Sequence, residues 1–128
     1  MGWDPESKKE ELFHSESRFI ISRLNDETSG ERIAGFVMFR FEKDYGQKLL
    51  YCYELQISPT FQRSGLGRFF VQCLTRLASH WHMDVVMLTV LKVNEAAMKF
   101  YEAMGFERDP VSPEPEEGAD YEILSVEI

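Results

Sequence analysis

The stretch "QRSGLG" (residues 62–67) stands between an apolar, aromatic run stopped by Pro59 and a strongly amphipathic segment. A strand end, a glycine loop and a helix start together make an anion site. The first turn of a helix presents free amides, with the positive end of the helix dipole behind them. Gly65 and Gly67 sit where those amides stand, and glycine lets the backbone approach a phosphate closely. Arg63 and Arg68 add positive charge. No Lys-Ser or Lys-Thr follows the glycines, and the three-glycine dinucleotide fingerprint is absent. Two familiar phosphate loops are thereby excluded. Two readings stay open on geometry: a phosphate cradle, or glycines that only make a tight strand-to-helix turn.

After the loop, Leu66, Phe69, Phe70, Cys73, Leu74, Leu77 and Ala78 recur at three- and four-residue steps. That spacing predicts a helix with one apolar face. Upstream, "SRFIISRL" (17–24), "RIAGFVMFRFEK" (32–43) and "KLLYCYELQI" (48–57) read as strands. "NDETSGE" and "DYGQ" supply the turns between them. Downstream, "DVVMLTVL" (84–91) is nearly all apolar, as a parallel strand covered on both faces should be. Asn94 should cap the next helix, whose inward face is Ala97, Phe100, Tyr101 and Met104, with Gly105 ending it. "ERDPVSPEPEEGAD" (107–120) reads as a polar, mobile loop, and "YEILSVEI" (121–128) as a last strand. At the other end, Asp4 followed by Pro5 reads as a helix start, the helix ending near Phe13. The order is antiparallel strands first, then strand-helix-strand-helix-strand. It predicts a mixed α/β sheet with a parallel crossover at its centre, flanked by helices. With no internal repeat, residues 1–128 read as one domain.

Composition narrows the function classes. Apolar residues make up 44% and charged residues 28% of 128 residues, the balance of a globular protein. The apolar runs are too short to span a bilayer, and the N-terminus has no apolar signal core. Cytosol or nucleus is the expected compartment, with no membrane partner. Cys52 and Cys73 both fall in apolar patterns and read as buried free thiols. The formal net charge is −8, which argues against general nucleic-acid binding and suits a cationic partner. His14, His80 and His82 do not form a metal-ligand pattern, so no metal is expected.

The loop resembles the Gln/Arg-x-x-Gly-x-Gly/Ala motif of the GCN5-related N-acetyltransferase (GNAT) superfamily. The segment "NEAAMKFYEAMGF" (94–106) is similar to the helix after that loop in the family, with its Asn start and its aromatic-x-x-x-Gly-Phe end. Within the family, "LLYCYELQI" (49–57), "VVMLTVLKVN" (85–94) and "DYEIL" (120–124) resemble the NatD branch. Those enzymes acetylate the N-terminal α-amine of histone tails that begin Ser-Gly-Arg-Gly. The resemblance implies the GNAT fold, acetyl-coenzyme A as acetyl donor, and a basic histone-four or histone-two-A N-terminal peptide as partner. It also implies residence in nucleus and cytoplasm; a monomer is expected. Members of that branch carry an extra N-terminal segment that walls the peptide site. This chain starts "MGW", so a shortened N-terminus is expected.

The resemblance carries site residues with it. The loop positions Arg63, Ser64, Gly65, Leu66, Gly67 and Arg68 would grip the pyrophosphate of coenzyme A. The backbone of Leu55, Gln56 and Ile57 would line the pantetheine arm, and Asn94 would touch the cofactor as well as cap its helix. Glu54 is the expected catalytic base, directly or through water: an acid in an otherwise apolar strand is costly unless it is paired or serves a purpose. Strict alternation puts Tyr51 and Tyr53 on one face of that strand and Glu54 on the other. For all three to serve one site the strand needs a bulge, which related enzymes have here. Tyr53 is expected to assist catalysis and, with Tyr51, to contact the substrate's first residue. Thr89 and Tyr121 match peptide-contacting positions. Glu42 and Asp44, at the end of the second strand, are the expected partners of a substrate arginine. Tyr101 matches the tyrosine that protonates the leaving thiolate in many members, although the NatD branch does not depend on it. Two other readings stay open: an enzyme acetylating a small amine such as a polyamine, and a non-catalytic coenzyme A-binding module.

Overall fold

A computed structural model of the chain describes residues 5–6, 15–26 and 30–128. Its strands are β1 (Arg18–Asp26), β2 (Gly30–Asp44), β3 (Gln47–Ile57), β4 (Val85–Leu91), β5 (Glu107–Arg108) and β6 (Tyr121–Glu127). They form a single mixed sheet in the order β1-β2-β3-β4-β6-β5. Only β3 and β4 run parallel; every other neighbouring pair is antiparallel. A two-residue turn joins β2 to β3, with positive φ at both Tyr45 and Gly46. That conformation matches the twist of a tight hairpin, and Asp44 Oδ1 accepts from the Tyr45 amide at 2.8 Å. The expected first helix lies largely outside the described residues, as do positions 27–29 of the expected turn; Pro5 and Glu6 are helical.

The crossover from β3 to β4 runs through helix α1 (Leu66–His80), and helix α2 (Glu95–Ala103) comes after β4. Both helices cover the same face of the sheet. Phe70, Val71, Leu74 and Ala78 of α1 pack on Val37, Phe39, Leu50, Cys52, Val86 and Leu88. From the side of α2, Ala97, Met98, Phe100, Tyr101 and Met104 join that cluster. The opposite face holds a smaller core of Leu49, Val85 and Met87, flanked by Tyr51 and Ile123. The helices and the glycine loop thus occupy one face of the sheet, and the acids and tyrosines of β2 and β3 occupy the other.

Two expectations need correction. Phe69 is 52% exposed, not inward. It lies about 100° around the helix from Phe70, beyond the edge of the stripe that Leu66, Phe70 and Leu74 define. The segment 107–120 is tied down, not a loose loop. It starts as β5, paired to β6, and contains a short 3₁₀ turn at Pro115–Glu117. Asp109 is only 6% exposed. Its carboxylate accepts from the Val111 amide at 2.9 Å and from the Ser125 hydroxyl at 2.6 Å. The Ser112 hydroxyl accepts from the Ile123 amide at 3.0 Å, and Arg108 donates to the carbonyls of Ser112 and Pro113. Polar groups buried this way are costly to leave unpaired. Asp109→Ala should therefore lower unfolding free energy by about 1–3 kcal/mol. Chemical denaturation measures it, and an unchanged midpoint would mean that water replaces both bonds.

Candidate active site

The site forms where β3 leaves β4. Their parallel pairing covers only Leu49↔Val85 to Cys52↔Leu88. Beyond that point β3 runs on to Ile57 against β2 alone, while β4 runs on to Leu91 against β6. The sheet therefore opens as a V between Tyr53–Ile57 and Thr89–Leu91. Among the described residues no strand lies opposite the polar backbone groups of β3 that point into the gap, which leaves them for a ligand.

A bulge sits at the apex. Phe39 pairs with Cys52 but Met38 pairs with Glu54, so Tyr53 is an extra residue in β3. Alternation before the bulge puts Leu50 and Cys52 on the helix-covered face and Tyr51 on the other. After it, Leu55 and Ile57 return to the covered face. Glu54, opposite Met38, then shares the open face with Tyr51, which sits opposite Arg40. Tyr53 points the same way, because its ring centroid lies 4.7 Å from that of Tyr51. One inserted residue thus brings Tyr51, Tyr53 and Glu54 to one side, as the expected bulge requires.

Two cavities meet at this gap. One, of about 390 Å³, is lined by Cys52, Tyr53, Glu54, Leu55, Gln56, Leu88, Thr89, Val90, Leu91, Asn94, Ala97 and Tyr101. The other, of about 540 Å³, lies between the start of α1 and α2, and its lining includes Ile57, Gln62, Arg63, Gly65, Gly67, Arg68, Ala96 and Phe100. Both share Leu55, Gln56, Ala97 and Tyr101. A path therefore leads from the glycine loop along the backbone of β3 to Glu54 and Tyr53.

The loop end of that path suits an anion. Gly65 caps α1 in the left-handed region at φ +89°, a conformation that favours glycine. The first intrahelical bond is Phe69 N–H to Gly65 O, 3.0 Å, so the amides of Gly65, Leu66, Gly67 and Arg68 precede it. The first turn has no acidic residue. Gly67 is closely packed. A Cβ there would stand 3.2 Å from Ile57 Cδ1 and 3.3 Å from Phe100 Cζ, so both side chains would have to give way by a few tenths of an ångström. Ser64 also belongs to the loop, its hydroxyl donating to Phe61 O. At the start of α2, Asn94 accepts from the Ala97 amide at 3.1 Å and faces the first cavity, fulfilling its expected cap.

At the other end, the Tyr51 and Thr89 hydroxyls are hydrogen-bonded to each other across the gap. Gln56 donates to the Glu54 carboxylate. Tyr53 donates to Glu42 Oε1, so the strand-end acid expected to meet substrate is engaged within the chain. Asp44 lies apart from the gap, beside the hairpin turn and Asp84. Tyr121 opens β6 opposite Leu91, a cleft-lining residue, on the same open face as Thr89 and Ile123. Burial raises the phenol pKa of Tyr101, with the thiol of Cys52 and the carboxylate of Glu54 acting the same way. Burial likewise pushes the Cys52 thiol up to about 12, so it stays protonated at neutral pH. Among the described residues no three His, Cys, Asp or Glu side chains converge as metal ligands. Arg40 is the site residue that the sequence reading missed. It falls two positions before Glu42, hence on the same strand face, and that period was the available signal.

Residues 2–106 match the sequence profile of the family described as the acetyltransferase (GNAT) family. The fold is similar to several solved structures. The NatC complex bound to Gag peptide and CoA superposes with a TM-score of 0.72 at 21% identity, covering 86% of this chain and 70% of that one. Arabidopsis thaliana NAA60 in complex with a bisubstrate analogue gives 0.71 at 15% identity, covering 100% and 86%. Nourseothricin acetyltransferase gives 0.68 at 20% identity, covering 88% of this chain and 66% of its own length. At such identities the likeness is one of fold.

Proposed function

Because the chain belongs to the acetyltransferase (GNAT) family, we propose that it transfers acetyl from acetyl-coenzyme A to a protein N-terminal α-amine. The proposed substrate is a basic tail beginning Ser-Gly-Arg-Gly, as in histone-four and histone-two-A. The observation that carries this reading is the bulge, which turns Tyr53 and Glu54 together onto the open sheet face at the apex of the V. The donor lies on the helix side, with its pyrophosphate on the amides of residues 63–68 and its pantetheine arm along Leu55, Gln56 and Ile57. Asn94 and Ala97 line the same path. The peptide enters from the open face, where Tyr51, Tyr53, Thr89 and Tyr121 surround its first residue.

A free α-amine has a pKa near 8, so about a tenth is neutral at pH 7. Glu54 takes the proton from the remainder, directly or through water, with Gln56 holding its carboxylate. The neutral nitrogen attacks the thioester carbonyl carbon. The C–N bond forms, the C–S bond breaks, and coenzyme A leaves as its thiol. Tyr101, which lines both cavities, gives the leaving sulfur its proton; the nitrogen releases its second proton to solvent, from which Tyr101 recovers its own. Cys52 lines the cleft as a buried thiol whose pKa burial raises. The net charge of −8 draws a cationic tail toward the cleft. Such a substrate sets the protein in nucleus and cytoplasm.

A coenzyme A release assay tests the reading against its competitors. The basic peptide should turn over, while the same peptide with a blocked N-terminus and a free polyamine should not. Turnover of the polyamine alone would identify a small-amine enzyme, and donor binding without any turnover a non-catalytic module.

A further inference from the structure

We propose that Arg40 is a positioning residue for the reaction: its guanidinium over the Tyr53 ring, together with the Glu42 carboxylate on the Tyr53 hydroxyl, locks the bulged tyrosine against the cleft. The proposal rests on the function proposed above for its kinetic consequence, but not for the lock itself. A bulged residue has no cross-strand partner to set its orientation. Tyr53 is that residue in β3, between Cys52 opposite Phe39 and Glu54 opposite Met38. Its ring is held by side chains instead. Arg40 Cζ lies 4.4 Å from the ring centroid, within the range of a cation–π contact. The hydroxyl donates to Glu42 Oε1.

Arg40 and Glu42 are two residues apart on β2, so both point to the open face that carries Tyr51 and Glu54. Arg40 is itself braced, with Nε donating to Ser17 Oγ of the approach to β1 at 3.2 Å. The bracing therefore runs from β1 through β2 to the apex of the V. Burial raises the Tyr53 phenol pKa most; Glu42 raises it further, and Arg40 opposes both. The phenol thus stays un-ionised as a donor to Glu42, while the guanidinium offsets the acid's charge beside it.

A double-mutant cycle separates this role from a merely structural one. With the Ser-Gly-Arg-Gly peptide, Arg40→Met should lower kcat/KM about tenfold, within the range of coupling between contacting residues. In a Tyr53→Leu background the same change should cost less than about twofold, because the ring it orients is gone. Acetyl-coenzyme A affinity by calorimetry should not move. Arg40→Lys keeps the charge but not the planar stack, and should fall between; it replaces Arg40→Met if the latter lowers the melting temperature. Equal fold-losses in both backgrounds, or no loss in the first, overturn the proposal. A second arm needs no turnover. In protein labelled with carbon-13 tyrosine, the Tyr53 ring resonance, identified by its loss in Tyr53→Leu, should shift on Arg40→Met. If wild type leaves the peptide unmodified, the proposed substrate fails and this arm decides the lock: a shifted resonance supports it, and an unmoved one overturns it.

Discussion

Glu54→Gln should lower kcat by about 10² to 10⁴, the usual cost of removing a general base. The change keeps the shape of the side chain and its ability to bond Gln56. It removes only the capacity to accept a proton. Acetyl-coenzyme A affinity should stay near that of wild type, because Glu54 lies on the open face and the loop and α1 on the other. The residual rate should climb with pH. The fraction of neutral amine grows tenfold per unit below the α-amine pKa of about 8, and above that value no base is needed. A pH–rate series on both proteins therefore shows curves that approach one another at high pH. Wild-type kcat at neutral pH in Glu54→Gln would make Glu54 structural and pass the proton to a tyrosine or to solvent.

Gly65→Val should weaken acetyl-coenzyme A about ten- to a hundredfold, the equivalent of about 1–3 kcal/mol of backbone strain. Gly65 holds φ +89° at the helix cap. A β-branched residue resists that conformation and would re-aim the amides of Leu66 and Gly67. Among the described residues, none beyond its two chain neighbours comes within 4 Å of where a Cβ would stand, so the new side chain projects into the open mouth of the loop, where the pyrophosphate is proposed to sit. Calorimetry reads the affinity, and circular dichroism confirms the fold. Unchanged binding in a folded variant would remove the pyrophosphate from this loop.

Where structure obeys local pattern, it was legible in the sequence. The stripe of Leu66, Phe70, Leu74 and Ala78 placed α1, and the Asn94 cap placed α2, because helix faces and caps are set within a few residues. The parallel strand "DVVMLTVL" was legible from its continuous apolarity. The bulge was not legible by itself. No glycine marks it, and period-2 alternation alone sends Glu54 to the wrong face. It became an expectation only through the family resemblance, because it depends on which residue of β3 meets Met38 and Phe39 of β2. The same holds for segment 107–120. Its composition reads as solvent-borne, yet Asp109 and Ser112 are buried by bonds to β6, more than ten residues away. Glu42 was legible as an acid near the site. Its bond to Tyr53 was not, since it joins residues of two strands whose register the sequence does not state.

We propose that the V between β3 and β4 acetylates an N-terminal α-amine. The most direct test is fragmentation mass spectrometry of a Ser-Gly-Arg-Gly peptide with an internal lysine, after incubation with the protein and acetyl-coenzyme A. The expected product carries a single acetyl group on the α-nitrogen of the serine, with the lysine untouched. An acetyl group on the lysine alone, or an unmodified peptide under conditions where the protein binds acetyl-coenzyme A, would contradict it.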